Sequence, residues 1–239
     1  MEERISDCKQ ILEDCGFGTL NTEVVLRNIA KLEEFYDSET LSEVYNYALK
    51  TADNPEFLIQ IIKYSDLHKS ESTLLILLDL LKNGKENLQQ QSPDDYVEMR
   101  VLCVKAIANY KDTNTISTLL DCLNNKKESY RVRFACADAL GKIGSKSAVQ
   151  PLIDVIKDEG EKSVYLKESA TSALGLLGDM SAIDPLISIL ESKQGFVDKF
   201  TFLKEKIVED LGKLNINNTK IINALEHSLM DSSPIVRIN

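Results

Sequence analysis

The sequence predicts an all-α protein, an array of antiparallel helical hairpins stacked side by side. Three observations carry this. The stretch RVRFACADALGKIGSKSAVQPLIDVIKD from Arg131 and the stretch YLKESATSALGLLGDMSAIDPLISILES from Tyr165 are near-copies offset by 34 residues. Each places its apolar residues at the i, i+3, i+4, i+7 spacing of one helical stripe. The punctuation keeps step as well: Gly144 answers Gly178, and Pro151 answers Pro185.

Taken in order, the chain opens with an amphipathic segment, Glu2 to Cys15, with Ile5, Cys8, Ile11, Leu12 and Cys15 on one side. Its charged opposite side suits a helix that caps the open end of a stack. Hairpins are expected at about 22–50, 54–83, 96–125, 130–158, 163–193 and 196–230, all within a single domain spanning 1–239. Between Gly84 and Asp95 the segment GKENLQQQSPDD has no apolar stripe and reads as a tolerated insertion rather than a functional loop.

In the clearest unit the first stripe is Val132, Ala135, Cys136, Ala139, Leu140 and Ile143. Its copies are Leu166, Ser169, Ala170, Ala173, Leu174 and Leu177, and upstream Met99, Leu102, Cys103, Ala106, Ile107 and Tyr110. A looser copy, Leu203, Lys206, Ile207, Asp210, Leu211 and Leu214, turns polar at Lys206 and Asp210. Gly144 and Gly178 fall where the first helix must stop, a position that favours φ > 0. Ser147 and Ser181 can cap the second helix, and Pro151 and Pro185 sit in its first turn, where an N–H has little to lose. The second stripe is Val149, Leu152, Ile153 and Ile156, matched by Ile183, Leu186, Ile187 and Leu190. A lone hairpin cannot cover both stripes, so neighbours must stack and share a core. The last residues, SSPIVRIN, replay the opening of a repeat, with Val236 and Arg237 in the places of Val132 and Arg133. One turn of helix does not stand alone, so 234–239 reads as the start of a further repeat in an excerpt of a longer array, or else as a short cap that closes the array.

Composition bounds the rest. The chain has 239 residues and 43% hydrophobic content, enough for a substantial core. No apolar run is long enough to span a bilayer and no leader pattern opens the chain. Five cysteines, an odd number without a CxxC, point to a reducing, cytoplasmic setting with thiols in the core. The net charge is −10. Met1 to Arg100 holds 20 acidic and 10 basic residues, whereas the remainder holds 18 of each. An acidic surface repels phosphates, so neither nucleic acid nor an anionic membrane is an expected partner.

The phrasing VRxxAxxALGxxG…AxxPLIxxI from Val132 to Ile156 resembles the HEAT repeat, in the short form called PBS-lyase HEAT-like. The resemblance implies a right-handed α-solenoid whose second helices line the concave side. It also brings to mind bilin lyases and isomerases of phycobiliproteins, and chaperone-like subunits. It carries no catalytic residue that could be transferred to this chain.

Two rows of side chains recur. A cation follows the first apolar position as Arg100, Arg133, Lys167, Lys204 and Arg237. It reads as structural, meeting an acid of the adjoining repeat or a neighbouring helix C-terminus. On the second helices Asp79, Asp121, Asp154, Ser188 and His227 align opposite the core stripe. Beside them run Ser117, Gln150, Asp184 and Asn223, then Lys82, Asn124, Lys157 and Glu191. This row is the candidate partner-binding surface, polar and acidic at its start, suited to a basic helix or tail of another protein or else merely solvated. The absence of Trp argues against a tight aromatic interface there.

Chemistry is thin. His68 and His227 belong to no metal motif, and Cys8 and Cys15 lack further ligands. No phosphate-cradling glycine loop occurs, and no cofactor is expected. A HEAT-type DNA glycosylase would need a basic groove, and an iron hydroxylase of HEAT type would need His-Glu pairs. The expected function is a non-catalytic scaffold that binds a protein partner along the concave face.

Overall fold

All regular structure in the described part of this computed structural model is helical; residues 2–84, 86–191, 197–213, 218–231 and 233–238 are described. Contacts divide the chain into two units, Met1–Tyr110 and Lys111–Asn239.

The first unit holds α1 (Glu2–Asp14), α2 (Thr22–Ile29), a 3-10 turn (Leu32–Glu34), α3 (Ser38–Thr51), α4 (Pro55–Leu67), α5 (Glu71–Lys82), α6 (Glu86–Gln91) and α7 (Pro93–Tyr110). Asn21, Asp37, Asn54 and Ser70 begin α2 to α5, each accepting a first-turn backbone N–H that the helix cannot satisfy itself. Cys8, Leu12 and Cys15 bury one side of α1, which packs on α3. Helix α4 packs on α7, filling the space between with Leu58, Ile61, Ile62, Met99, Cys103 and Ile107. A polar clasp joins α3 to the start of α5. Thr73 Oγ1 donates to Asn46 Oδ1 at 2.8 Å, Asn46 Nδ2 to Ser72 Oγ at 3.0 Å, and Ser42 Oγ to Ser70 Oγ at 2.8 Å.

The segment from Gly84 to Asp95, a polar stretch without an apolar stripe in the sequence, is partly helical. It contains α6, which packs on α7 through a fully buried Leu88. A helix of six residues needs only one apolar anchor, so no stripe could announce it. Helix α7 likewise begins at Pro93 rather than near Tyr96, because a proline at the first helical position has a suitable φ and no N–H to satisfy.

The second unit holds α8 (Ile116–Asn124) after a 3-10 turn (Thr113–Thr115), α9 (Tyr130–Ile143), a 3-10 turn (Lys146–Ala148), α10 (Val149–Lys157) and α11 (Val164–Leu177). A further 3-10 turn (Met180–Ala182) leads to α12 (Ile183–Leu190), α13 (Val197–Lys213), α14 (Thr219–Ser228) and α15 (Pro234–Ile238). Helices α9, α11 and α13 pack successively on one another, and each of α8, α10 and α12 packs against the following long helix. Leu140 and Leu174 occupy equivalent buried positions in α9 and α11. The approach of α9 to α11 is close: a Cβ added at Gly141 would lie 2.8 Å from the Ala173 Cα.

Gly144 and Gly178 end α9 and α11 with φ of 85° and 61°, their amides returning to the carbonyls of Leu140 and Leu174. The capping expectation needs correction. Ser145 and Asp179 are the acceptors, taking the N–H groups of Ser147 and Ser181, while α10 and α12 start from Ala148 and Ala182 without a side-chain cap. The intervening 3-10 turn moves the cap two residues upstream of Ser147 and Ser181 and leaves the helix start to run on from it. The expected hairpin limits at Lys193 and Phe196, the stripe position Leu214, the terminal Asn239 and the Ile5 side chain lie outside the described residues and side chains.

Candidate functional site

The candidate face follows from helical periodicity in the second helices. In α8, Ile116, Leu119, Cys122 and Leu123 are buried, which turns Ser117, Asp121 and Asn124 outward. In α10, Val149, Leu152, Ile153 and Ile156 are buried and Gln150, Asp154 and Lys157 are exposed. Helix α12 exposes Asp184, Ser188 and Glu191, and α14 exposes Asn223, Glu226 and His227. In the first unit α5 exposes Asp79 and Lys82. Burial of one stripe thus forces these polar positions into solvent.

Local contacts distinguish the acids. Asp79 accepts from Asn83 Nδ2 at 2.6 Å, and Asp154 from Gln150 Nε2 at 2.8 Å. Asp184 is engaged by the ammonium of Lys220, which reaches across from α14 to both carboxylate oxygens at 2.8 and 2.9 Å. Its charge is therefore offset within the protein. Asp121 has no ion pair among the described residues, and Asp154 has only the amide. The negative character of the second unit's row is concentrated on α8 and α10, which pack beside one another.

The recurrent cations are occupied structurally. Arg100 donates to the Leu80 carbonyl at 3.3 Å, Arg133 to the Leu123 carbonyl at 2.7 Å, Lys167 to the Asp158 carbonyl at 2.8 Å and Arg237 to the Asp231 carbonyl at 2.7 Å. Those carbonyls lie in the last turns of α5 and α8 and at or beyond the ends of α10 and α14. Carbonyls at a helix C-terminus carry the negative end of the helix dipole, and those of Leu80 and Asp158 accept a backbone N–H, from Gly84 and Glu161, besides the cation. Lys204 meets the Asp231 carboxylate at 3.1 Å instead. Arg133 gains a second partner, Glu161, in the connection from α10 to α11. Burial alone would push the Glu161 carboxyl up; the Ser163 amide and the Arg133 guanidinium reverse this and hold it below the usual range.

A feature with no signature in the sequence lies in the first unit. The ring of His68, at the end of α4, accepts or donates on both nitrogens: Nδ1 is 2.9 Å from Ser38 Oγ and Nε2 is 3.4 Å from Glu33 Oε1. The order Ser–His–Glu resembles a nucleophile, base and orienting acid. At the start of α3 the Asp37 carboxylate, next to Ser38 in the chain, takes the Thr40 amide at 2.8 Å. The three side chains tie the end of α4 to the turn before α3.

All five cysteines are buried and none forms a disulfide, and burial pushes the Cys103 thiol up to about 12. Among the described residues no group of three or more His, Cys, Asp or Glu is placed to hold a metal ion, and no helix is long and apolar enough to cross a membrane.

Comparison with known families gives two matches. Residues 86–165 match the model of HEAT repeats, and residues 166–192 match the PBS lyase HEAT-like repeat. No curated protein matches the sequence. Among solved structures, human deoxyhypusine hydroxylase in complex with glycerol is similar at 14% identity and a TM-score of 0.45, over 99% of this chain and 93% of that one. At that distance no side chain or reaction is carried across.

Proposed function

Residues 86–192 are HEAT repeats, and from that premise we propose that the protein is a non-catalytic scaffold that binds a protein partner along its second helices. The partner contributes a basic segment. The supporting observation is the separation of charges in the second unit. The recurrent cations are spent on carbonyls and acids of the protein itself, while Asp121 and Asp154 stay exposed without an ion pair among the described residues. Gln150, Asp184, Ser188, Asn223 and His227 would form the polar surround, and Asp79 is a separate exposed acid on the second helix α5 of the first unit. The setting is cytoplasmic, in keeping with five buried cysteines that form no disulfide.

The test is binding of a lysine- and arginine-rich helical peptide, followed by fluorescence anisotropy at low and high salt. Reversing charge at Asp121→Lys and Asp154→Lys together is expected to weaken binding at least about tenfold, with the salt dependence reduced and the melting temperature unchanged. Equal binding by the double variant would remove this reading. The bilin-lyase alternative rests on the resemblance of the repeats alone, and an unaltered absorption spectrum of a free linear tetrapyrrole mixed with the protein is the expected result.

A further inference from the structure

Helix α13 continues the apolar stripe of the preceding repeats with Leu203, Ile207 and Leu211, all buried. At the stripe position where α7, α9 and α11 carry Ala106, Ala139 and Ala173, however, it carries Asp210. Asp210 is only 3% exposed and faces α11. Space for it exists because α11 has a glycine opposite: a Cβ added at Gly175 would lie 2.9 Å from the Asp210 Cγ. One carboxylate oxygen, Oδ1, is 3.5 Å from the ammonium groups of both Lys206 and Lys213. The other, Oδ2, is buried and has no hydrogen-bond partner. A carboxylate in this position gives up hydration on one oxygen without replacement, a cost borne mainly by the charged form.

We infer that the packing of α13 on α11 is proton-sensitive, tighter when the Asp210 carboxyl is neutral than when it is charged. Burial pushes this carboxyl up, against the pull of Lys206 and Lys213, with Glu209 adding to the rise. These charged neighbours all belong to α13. From α11 the facing residue is Gly175, and Glu168 of α11 sits by Glu205 and Lys206. Of the other elements packed on α13, α12 carries Asp184, which is held by Lys220 of α14. Helix α14 also carries exposed Glu226 and His227, and α15 carries Arg237, whose guanidinium is on the Asp231 carbonyl.

The sign follows from linkage. A carboxyl whose folded pKa lies above its unfolded value of 3.8 holds its proton better in the folded state. Its ionisation therefore lowers stability in full above the folded pKa, and the loss is relieved as pH falls toward the unfolded value. Acids held down elsewhere in this unit, such as Glu161 and Asp231, act in the opposite sense. The comparison must therefore be between the parent protein and a variant at this one position.

Thermal unfolding of the full chain and of Asp210→Asn near neutral pH and near about pH 5 makes that comparison. The variant is expected to melt about 2–4 °C higher at neutral pH, with the gap narrowing in acid. Asp210→Ala, which restores the residue of the other repeats, should behave the same way if the asparagine variant folds poorly. A variant that melts no higher at neutral pH, or a gap that stays constant with pH, overturns the inference. In the second case Glu168 or another acid is the source of any pH dependence the parent shows.

Discussion

Arg133 Nη1 lies 2.5 Å from Glu161 Oε2 while the same guanidinium donates from Nε to the Leu123 carbonyl, so one side chain of α9 holds both the end of the preceding helix and the connection that follows α10. Both charges are nearly buried, at 7% and 10% side-chain exposure. Removing Arg133 leaves the Glu161 charge nearly buried with the Ser163 amide but no cation to offset it. Arg133→Ala is expected to cost about 3 kcal/mol in urea unfolding. Arg133→Lys should cost less, since an ammonium can still reach one of the two acceptors, as Lys167 reaches the Asp158 carbonyl in the next repeat.

The same pair sets a pH dependence. Glu161 is held below the ordinary carboxylate value of 4.5, so it binds its proton less readily folded than unfolded. Its contribution is complete above that value and is lost as pH falls through the lower folded pKa. The stability difference between the parent protein and Glu161→Gln, measured by urea unfolding, should be constant near neutral pH and shrink on acidification below 4.5. A difference that grows in acid would contradict the assigned role of the pair.

Gly141 separates packing from backbone effects. Its φ is not positive, so alanine is acceptable to the helix, yet the added Cβ would meet the Ala173 Cα at 2.8 Å and its Cβ at 2.9 Å. The obstacle is backbone, which cannot rotate away. Gly141→Ala is expected to lose about 1–3 kcal/mol by forcing α9 from α11, despite the better helix propensity of alanine. Gly144→Ala meets no atom within 4 Å but must keep φ at 85°, and should lose about 1–2 kcal/mol for that reason alone. Adding a second change, Ala173→Gly, should recover part of the first loss and none of the second.

What could be read from the sequence follows the range of the forces involved. The hairpins around Leu140 and Leu174 were legible because their apolar stripe is local and occurs twice in step. The structural use of Arg133 and Lys167 was legible for the same reason, as a position recurring once per repeat. Helix α6 was not, since a single Leu88 has no period. The caps at Ser145 and Asp179 were misplaced because a 3-10 turn of three residues precedes each second helix. On the candidate face, exposure of Asp121 and Asp154 could be argued from the wheel of one helix. The capture of Asp184 by Lys220 could not, because it joins residues 36 apart and depends on how α12 and α14 are set against each other.

That ion pair gives the sharpest test of the binding face. Lys220 and Asp184 are 65% and 68% exposed, so water and salt screen them and their attraction is worth less than about 1 kcal/mol of stability. Its effect on charge is larger: the ammonium cancels one carboxylate beside Ser188 and Asn223. Lys220→Ala should shift the melting temperature by less than about 3 °C from the parent while releasing Asp184 to the face. If a basic segment binds along the second helices, this variant should bind the lysine- and arginine-rich peptide several-fold more tightly at low salt, and the gain should vanish at high salt. Adding Asp184→Asn to Lys220→Ala should return affinity to about the parent value, because the net charge at that point is then restored. The second substitution also restores the overall net charge, so a gain that survives it would mean that the tighter binding does not come from the freed Asp184 carboxylate.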